Sequence, residues 1–582
     1  MSERKHKIVS KKEIQNGLKL KGFFGGIISG FIMFVFSVNR LNRMYNKCYA
    51  ETPKEFTANC LSYKNIKLLK NDEDIKLIPE KGPVVFLFNH PYGGLDALAI
   101  SKTILELRPD TKFIANFLLR RIEPIAPYLF EVNPFETRKK DFSSLSGLKE
   151  MYKHLEDGYA VCLLPAGEVS TRYKGSKIVE DRDWQSNMMK LIKAYDTPII
   201  SGYISGQNSW LFHLMGKIHP ALRTAMLPRE LLKKKNTSIY IRFSGHLTNK
   251  IVKSVDNNKD LAEILKAKTY CLADDCMLKR HKESKDSQTK EIIHETEKQV
   301  LLNEIKAITS NNLLFKTDNY LCFFASTKEI PNIFREISRL REITFRAIGE
   351  GTGKEYDTDT FDQYYKHLFI WDENENCLVG AYRIGIGLDI LKEKGGDGFY
   401  INTLFKLKKD FIPYLEKSME MGRSFIVQQY QRKALPLFLL WKGIYFVTQK
   451  YPQYKYLIGP VSISSLYSEN SKILMIEYLK RKHHWDELAQ MIECKTPFTY
   501  KLNHYHEILL STFGKDISTL DRLIRDIDIN GFGVPVLIKK YLSLGGKILD
   551  FNVDPDFNYS VDGFVVLDID IVSEEVIKSY NK

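Results

Sequence analysis

The stretch that most constrains the fold is VVFLFNHPYGGLDALAI, residues 84–100. Its first five residues are apolar and predict a buried strand. An Asn-His-Pro sequence and a Gly-Gly pair then force a tight turn, and the apolar pattern that follows predicts a helix. A buried strand that runs through a short turn into a helix is the repeating unit of α/β domains, so the sequence predicts that fold class.

The same turn carries two polar side chains that could act together. Asp96 follows His90 after a spacer of five residues, and a chain folded back through the turn would bring the carboxylate to one imidazole nitrogen. That contact fixes the tautomer and raises the basicity of the other nitrogen. Since no Ser or Cys nucleophile is close in sequence, the pair predicts a base that activates a substrate hydroxyl. In the alternative interpretation, His90 caps a turn and Asp96 caps the helix.

Length and periodicity predict two α/β domains joined by a connector. The 582 residues exceed what one core supports, and strands alternate with helical stretches over 81–254. Residues 255–310 are charge-rich, contain neither Gly nor Pro, and predict a helical connector throughout. A second α/β unit is predicted over 311–582, with a strand pair that turns at 373–376. The strand candidates of the first domain are 83–88, 159–164, 198–204 and 238–243.

Residues 1–80 are predicted to form helices that associate with a membrane. Residues 1–21 hold seven basic side chains against two acidic ones, and the uncharged FFGGIISGFIMFVFSV follows over 23–38. This apolar segment is shorter than the roughly 20 residues of a spanning helix, and its basic flank favours anionic lipid. We therefore expect a peripheral or monotopic protein at the cytoplasmic face of a bacterial inner membrane.

The net charge and the cysteines indicate which binding partners and which cellular compartment to expect. The formal net charge of +15 predicts an acidic partner such as nucleic acid, an anionic membrane or an acidic protein. No nucleic-acid-binding motif is visible in the sequence, so we expect no nucleic acid partner. The eight cysteines form no CxxC pair and have no zinc spacing, which predicts a reducing compartment and no metal site.

Four blocks in the N-terminal half resemble the glycerolipid acyltransferases, the family of 1-acylglycerol-3-phosphate acyltransferases. They are VVFLFNHPYGGLDA (84–97), FLLRRIEPIAPYLFEVNPF (117–135), LLPAGEVSTRYKG (163–175) and DTPIISGYISGQNS (196–209). The common form of the first block is His-x4-Asp. The five-residue spacer found here resembles a bacterial branch that makes amino-acid-containing lipids, often labelled hemolysin-like.

This resemblance implies roles for individual residues. His90 is implied as the general base and Asp96 as the residue that orients it, with Asn89 and Gly93 lining the turn. In the family's commonest third block an Arg directly follows Glu-Gly-Thr or Glu-Gly-Ser, and the different order here favours an acceptor without a phosphate. The further residues implied in binding the acceptor are Arg120, Pro165, Gly167, Glu168 and Arg172.

The second half resembles the GNAT-like N-acyltransferases of ornithine- and glycine-lipid synthesis over about 311–570. The resemblance implies a site between splayed strands, where backbone amides polarise a thioester carbonyl. The blocks that carry it are 329–372, CLVGAYRIG (377–385), MEMGRSFIVQQYQRKALPLFLLWKGI (419–444), YLIGPVSISSLY (456–467) and VPVLIKKYLSLGGKILDFNVDPDF (534–557).

Charged residues in these blocks are candidates for binding an amino acid. Glu420 and Arg423 flank a glycine and could orient substrate or relay a proton. An acidic group could hold the ammonium, and an arginine could clamp the carboxylate bidentately. Each could instead form a structural ion pair. The acidic candidates are Glu350, Asp357 and Asp359, and the clamp candidates are Arg383 and Arg423.

The two resemblances together imply a bifunctional amino-acid-lipid synthase. The C-terminal domain would N-acylate ornithine or glycine with a 3-hydroxyacyl group, and the N-terminal domain would O-acylate the 3-hydroxyl. No cofactor is expected to be bound. The donor would be acyl carrier protein or acyl-CoA, and the acidic carrier protein would explain the basic charge. Two alternatives stay open: a lysophospholipid acyltransferase with a regulatory C-terminal domain, and a non-catalytic membrane protein.

Overall fold

The chain forms two compact units in the computed structural model, which describes residues 7–17, 19–20, 22–132, 144–173, 178–195, 197–247, 249–273 and 290–581. Each unit is made of several chain segments. The first unit consists of Met1–Asp274, Asn503–Lys515 and Arg525–Gly531. The second consists of Asp275–Leu502, Asp516–Ile524 and Phe532–Lys582.

A seven-stranded mixed sheet forms the centre of the first unit, in the order β1-β9-β8-β2-β5-β3-β4. β2 lies in the middle, parallel to β5 and β8, and all five of its residues are buried. The turn after β2 therefore lies at the carboxyl edge of the sheet. Its strands are β1 (Ile66–Lys70), β2 (Val84–Phe88), β3 (Lys112–Asn116), β4 (Leu129–Val132), β5 (Ala160–Leu163), β8 (Ile199–Ile204) and β9 (Thr237–Phe243). A separate two-stranded sheet is formed by β6 (Thr171–Arg172) and β7 (Val179–Glu180).

The strands predicted from apolar runs are confirmed to within one residue as β2, β5, β8 and β9. Their success follows from burial on both faces, which makes β2 and β5 continuous apolar runs and leaves β8 and β9 mostly apolar. Helices connect and cover these strands. They span Lys11–Gly17, Gly22–Val35, Val38–Cys48, Pro53–Tyr63, Asp72–Lys76, Gly94–Leu107, Ser144–Glu156, Ser186–Ala194, Trp210–Ile218, Pro220–Ala225, Leu227–Lys233, Asn249–Ser254 and Asn258–Tyr270.

Two segments from the C-terminal part of the chain complete the first unit. The Tyr505 ring stacks on Tyr270 at 5.0 Å between centroids and 12° between planes. Lys268 Nζ, almost fully buried, lies 2.8 Å from Asp526 Oδ2. A buried ammonium needs such a partner, so these segments belong to the packing of this unit. The sequence interpretation had placed them within 311–582, and the structure differs on this point.

The second unit is built on an eight-stranded sheet in the order β10-β11-β12-β13-β15-β16-β19-β18. β12 and β13 pair antiparallel across the predicted turn at 373–376, which is confirmed. Its strands are β10 (Leu313–Thr317), β11 (Tyr320–Ser326), β12 (Lys366–Asp372), β13 (Cys377–Ile386), β15 (Ser418–Ile426), β16 (Tyr456–Ile463), β18 (Lys547–Asp554) and β19 (Ser560–Asp568). A separate two-stranded sheet is formed by β14 (Phe405–Leu407) and β17 (Ile492–Cys494).

Helices flank this second sheet, and one of them ends just before a glycine. Gly545, at φ +89°, follows the helix Val536–Ser543 and precedes β18. The helices of this unit span Lys298–Asn312, Pro331–Ala347, Gly387–Lys394, Ile401–Leu404, Ile412–Glu416, Ala434–Lys450, Glu469–Lys482, Asp486–Ala489, Val536–Ser543 and Glu574–Asn581. The helix His504–Phe513 belongs to the first unit, and Ile517–Ile527 is divided between the two units.

The prediction of a helix throughout 255–310 is only partly right. Helices form over Asn258–Tyr270 and Lys298–Asn312, whereas 290–297 is not helical. There the backbone N–H of Lys290 donates to Gly353 O at 3.0 Å, and that of Ile293 donates to Glu355 O at 3.2 Å. These bonds to a neighbouring loop replace the bonds of a helix. Residues 274–289 lie outside the described residues.

The apolar N-terminal segment forms the helix Gly22–Val35, on which large side chains face outward. Phe23 is 79% exposed and Phe34 is 76% exposed. Among the described residues, no single helix is both long enough and apolar enough to cross a bilayer. The pair Lys11–Gly17 and Gly22–Val35, bent by 110°, meets the length and composition criteria only when the two are taken together.

Candidate active sites

The turn after β2 brings His90 and Asp96 together, as predicted. His90 Nδ1 lies 2.8 Å from Asp96 Oδ2, and the Asp96 side chain is fully buried. The imidazole is about one-fifth exposed. No described residue forms a hydrogen bond with its Nε2 atom. The carboxylate therefore fixes the proton on Nδ1, which leaves Nε2 to accept a proton from a bound molecule.

Asp96 also caps the helix that follows, so the contact with His90 and the helix cap are both present. Its Oδ2 atom accepts hydrogen bonds from the backbone N–H groups of Tyr92 and Gly93, both at 2.8 Å. The other oxygen, Oδ1, is buried without a hydrogen-bond partner among the described residues. Three donors converge on one oxygen, which ties the orientation of the imidazole to the first turn of the helix Gly94–Leu107.

The neighbours of His90 fix the turn to the sheet. Asn89 Nδ2 donates to Ile204 O at 2.9 Å, and its Oδ1 accepts from Ile204 N at 2.7 Å, so it links the ends of β2 and β8. Gly93 has φ +94°, and a Cβ there would lie 2.8 Å from Leu227 Cδ2. Both residues line the turn as predicted, and their contacts are structural.

Asp181 is a part of this site that the sequence interpretation missed. Its Oδ1 atom accepts from the backbone N–H of His90 at 3.1 Å and from Ser170 Oγ at 2.5 Å. Its Oδ2 atom accepts from Trp184 Nε1 at 2.9 Å. The residue is 1% exposed, and burial raises its pKa even though these donors lower it. Ser170 N completes the link by donating to His90 O at 2.8 Å.

The third sequence block lies beside the same turn, because Ser170 is bonded to His90. Gly167, at φ +68°, forms a tight turn in which a Cβ would lie 2.3 Å from Gln185 Nε2. Pro165 O accepts from Gln185 N at 3.1 Å. These contacts make Pro165 and Gly167 part of the loop framework, and direct substrate contact by either stays a prediction.

The two charged residues of this block differ in their surroundings. Glu168 is paired with Arg223 Nη2 at 2.5 Å and with Arg182 Nη1 at 3.5 Å. Arg172 is exposed on β6 and makes no ion pair among the described residues. Its charge helps to lower the pKa of buried His213, for which burial is the larger cause. Arg172 is therefore the member of this block whose charge is available to an anionic group.

Arg120, from the second block, lies in the short 3₁₀ helix Phe117–Arg121 and is exposed. Its predicted role in binding the acceptor stays a prediction. The end of that block, 133–135, lies outside the described residues.

A second candidate site lies in the second unit, where β15 and β16 part. These strands pair in parallel only over Ser418–Glu420 and Tyr456–Ile458. Beyond that point β15 bulges against β13, and β16 continues against β19. A Cβ at Gly459 would lie 2.1 Å from Met421 O, so the strands approach closely just before they separate. This is the splayed-strand arrangement that the resemblance implied.

Glu420 ends the paired part of β15 and is 1% exposed. It accepts from the backbone N–H of Tyr400 at 2.9 Å and of Ile401 at 2.6 Å, and from the hydroxyl of Tyr365. Burial raises its pKa to about 7. Both carboxylate oxygens have partners within the protein, so its surroundings support a positioning role, and substrate binding by Glu420 stays a prediction.

The two arginines proposed as carboxylate clamps already face aspartates. Arg383 Nη1 lies 2.5 Å from Asp359 Oδ1 and 3.2 Å from Asp362 Oδ1. Arg423, at φ +48° in the bulge, lies 3.1 Å from both Asp357 Oδ2 and Asp359 Oδ2. The structural ion pairs weighed as an alternative are present, which also neutralises the two aspartates suggested for binding an ammonium.

Glu350 differs from the other acidic candidates. It is 9% exposed, and its carboxylate forms neither a hydrogen bond nor an ion pair with the described residues. Burial, and secondarily the charge of Asp562, raises its pKa to about 8. The structure thus separates Glu350, whose carboxylate has no partner, from Asp357 and Asp359, which are paired.

Comparison with known proteins finds one family match in each half of the chain. The family model described as "Acyltransferase" matches residues 21–277. The model described as "Acetyltransferase (GNAT) domain" matches residues 340–441. The chain is an acyltransferase with two acyl-transfer domains. The two-domain fold class and both family resemblances are therefore confirmed.

Two relatives of this acyltransferase come from Bacteroides thetaiotaomicron. A glycine N(alpha)-acyltransferase is 29% identical over 282 residues, which cover 46% of this chain and 82% of that protein. A lyso-glycine lipid O-acyltransferase is 24% identical over 217 residues, which cover 35% of this chain and 75% of that protein.

One solved structure is similar in part. It is the 1-acyl-sn-glycerophosphate acyltransferase of Thermotoga maritima, with 15% identity, a TM-score of 0.23, and coverage of 45% of this chain and 90% of that one. At that TM-score the likeness assigns no fold.

Proposed function

We propose that the protein makes an amino-acid lipid in two acyl-transfer steps, with glycine as the head group. The second unit joins a 3-hydroxyacyl chain to the amine of glycine, and the first unit adds a second acyl chain to the 3-hydroxyl. What carries the proposal is the presence, in one chain, of two acyl-transfer domains whose relatives are named for these two steps.

The geometry of the first unit supports transfer to an alcohol. His90 Nε2 accepts the proton of the substrate hydroxyl while the alkoxide oxygen attacks the carbonyl carbon of the acyl donor. The C–O bond forms and the bond to the donor sulfur breaks, and the thiolate takes the proton back from the imidazolium. Asp96, 2.8 Å from Nδ1, stabilises the positive charge that His90 carries between these events.

The exposed charge beside His90 supports an acceptor with an anionic head group. Arg172 makes no ion pair within the described residues, whereas Glu168 is neutralised by Arg182 and Arg223. An N-acylglycine ends in a carboxylate, which a free guanidinium can bind through two parallel hydrogen bonds. We infer that Arg172 holds this carboxylate while the 3-hydroxyl lies at His90.

The acyl donor is a thioester on acyl carrier protein or coenzyme A. We propose the carrier protein, because it is acidic and the chain carries a formal charge of +15. Comparing the two thioesters at equal concentration over a range of salt tests this. A carrier-protein donor predicts a steep rise of KM with ionic strength.

We further propose that the protein works at the cytoplasmic surface of an anionic membrane. Apolar side chains face outward in two helices of the first unit, and basic residues flank the N-terminal one. On the helix Trp210–Ile218, three of them recur at four-residue spacing and so share a face. The outward-facing residues are Phe23, Phe24, Phe31, Phe34, Trp210, Leu214 and Ile218.

Vesicle sedimentation tests the membrane proposal. The full chain should bind vesicles that contain phosphatidylglycerol more tightly than vesicles of phosphatidylcholine alone, and salt should weaken the binding. Trp210→Ser should reduce binding, whereas Ile571→Ser, at an exposed apolar residue of the second unit, should not. Equal binding by all three proteins would contradict a contact through the helix Trp210–Ile218.

Lipid mass spectrometry tests the function itself. The chain is expressed in a bacterium that lacks amino-acid lipids, and we expect a new, phosphate-free lipid that contains glycine and two acyl chains. His90→Ala should leave the mono-acylated lipid, because only the second step needs this base. His246→Ala, an exposed histidine of the same unit, is the matched control and should give the wild-type lipid.

Three outcomes decide between the candidates. Di-acylated lipid formed at the normal rate by His90→Ala would overturn the assignment of the base. A head group other than glycine would correct the substrate but keep the chemistry. No new lipid, together with faster acylation of lysophosphatidic acid in the same extract, would favour the lysophospholipid acyltransferase with a regulatory second domain.

A further inference from the structure

A group of buried carboxylates lies just past the point where β15 and β16 separate. Asp562 on β19 is 4% exposed and stands opposite Ser462 on β16, whose Oγ donates to Asp562 Oδ1 at 2.5 Å. Asp554, at the end of β18, is also 4% exposed. Neither aspartate has an ion-pair partner among the described residues.

Glu350 reaches this group from a loop that is tied to the same strands. Ser464 Oγ, just after β16, donates to Ile348 O at 2.6 Å. Asn558 Nδ2, in the turn between β18 and β19, donates to Gly349 O at 2.9 Å. The two bonds hold both residues that precede Glu350, so its carboxylate is placed by the fold, although no described residue pairs with that carboxylate.

Arg423, whose charge acts on Asp554 and Asp562, is already engaged. Arg423 lies 3.1 Å from both Asp357 and Asp359, and its ring contacts are Tyr400 at 4.9 Å and Phe557 at 4.3 Å. An unpaired buried carboxylate is costly. The cluster therefore has a place for one more cation, which the described residues do not supply.

Resting on the proposed function, we propose that Glu350 and Asp562 bind the ammonium group of glycine and that Glu350 removes its proton. Asp562, fixed by Ser462, positions the nitrogen, and Glu350, which no other described residue pairs with, takes the proton. The position of both beside the splayed strands brings the nitrogen to the edge where the thioester carbonyl is expected.

The proposed reaction is an acyl transfer from the donor sulfur to the glycine nitrogen. One ammonium proton moves to the Glu350 carboxylate, and the freed lone pair attacks the thioester carbonyl carbon. The C–N bond forms and the C–S bond breaks. The thiolate takes a second proton from the nitrogen, so the products are the amide and a free thiol, and Glu350 returns its proton to water.

Titration of the two carboxylates supports this role. Burial is the main cause that raises the pKa of Glu350 to about 8 and that of Asp562 to about 7. Among the groups around Asp562, Asp554 raises its pKa and Arg423 lowers it, while Tyr400 interacts with it. A base in this range is matched to proton transfer near neutral pH.

Kinetics on the full chain test the proposal. Thiol release from 3-hydroxyacyl carrier protein is followed against glycine concentration for Glu350→Gln, Asp562→Asn and the matched control Glu355→Gln, an exposed residue of the same loop. At neutral pH, we expect kcat/KM for glycine to fall about 10²-fold in Glu350→Gln, to fall also in Asp562→Asn, and to stay within about twofold in the control.

The pH profile separates a base from a merely structural residue. Between about pH 7 and about pH 10, the rate of Glu350→Gln should recover toward wild type, because the amine then loses its proton to solvent. O-acylation of added N-(3-hydroxyacyl)glycine by the same preparation checks folding. A wild-type rate for Glu350→Gln, or a loss that is equal at every pH, overturns the proposal. No glycine-dependent thiol release by the wild-type chain overturns the proposed function as well.

Discussion

Asp181 Oδ1 accepts the backbone N–H of His90 at 3.1 Å, so the residue that holds the histidine in place differs from the one that orients its ring. Asp96 acts on the imidazole, and Asp181 acts on the main chain, 91 residues away in sequence. The position and the tautomer of the proposed base are therefore set by two separate buried carboxylates, which can be altered one at a time.

Asp181→Asn should damage the first unit without affecting the second. An amide nitrogen would replace one acceptor oxygen and face either Ser170 and His90 or Trp184, all of which are donors. We expect a loss of about 1–3 kcal/mol of unfolding free energy and a lower O-acylation rate, measured with added N-(3-hydroxyacyl)glycine. A wild-type rate of O-acylation would contradict a supporting role.

Substitutions of Asp96 should separate its two roles. In Asp96→Asn the amide oxygen can replace Oδ2 and keep all three hydrogen bonds, because Oδ1 has no partner among the described residues. We expect the helix cap to survive and O-acylation to fall about 10²-fold through loss of the negative charge. Asp96→Ala should lose both the activity and about 1 kcal/mol of stability. Thermal unfolding and lipid assays would distinguish the two variants.

Gly93→Ala should cost more than a glycine substitution elsewhere with a similar backbone. Gly93 and Gly158 have φ +94° and +88°, but a Cβ at Gly93 would lie 2.8 Å from Leu227, whereas nothing lies within 4 Å at Gly158. We expect Gly158→Ala to lose about 1 kcal/mol from backbone strain alone. Gly93→Ala should lose more and should also reduce O-acylation. Equal losses of stability in both variants would mean that Leu227 moves aside without cost.

Removing the Glu350 charge should make the second unit more stable at high pH. The pKa of Glu350 is raised from 4.5 to about 8 in the folded state, so its contribution to stability is fully present below about pH 4 and is lost as pH rises through about 8. We therefore expect Glu350→Gln to be within about 1 kcal/mol of wild type near pH 5 and to exceed it by roughly 4 kcal/mol near pH 9. Denaturant unfolding at both values, with Glu355→Gln as control, measures this.

The features that could be predicted from the sequence are those formed by residues close together in the chain. The strands β2 and β5 are continuous apolar runs, β8 and β9 are mostly apolar, and the His90–Asp96 pair lies within one turn. Such features depend on residues that are close in sequence and on burial, and the spacing of apolar residues along the chain indicates burial. For the same reason the end of the helix Val536–Ser543 was predictable from the glycine that follows it.

What the sequence did not reveal depends on distant partners. Asp181 lies in a polar stretch and gains its role only from donors that the fold brings to it. Asp562 is one of several aspartates near β19, and its burial beside Ser462 follows from the register of two strands. The non-helical course of 290–297 also depends on bonds to a distant loop, because its composition alone favours a helix.

The return of 503–515 and 525–531 to the first unit has a consequence for how the chain is made. A ribosome releases the sheet of the first unit early, but the segments that complete its packing emerge only after most of the second unit has been synthesised. The N-terminal unit therefore cannot complete its packing until those segments are made, and until then the ammonium of Lys268 lacks the carboxylate of Asp526. Translation that stops before residue 531 would leave that unit unfinished, so the two steps of synthesis are gained or lost together.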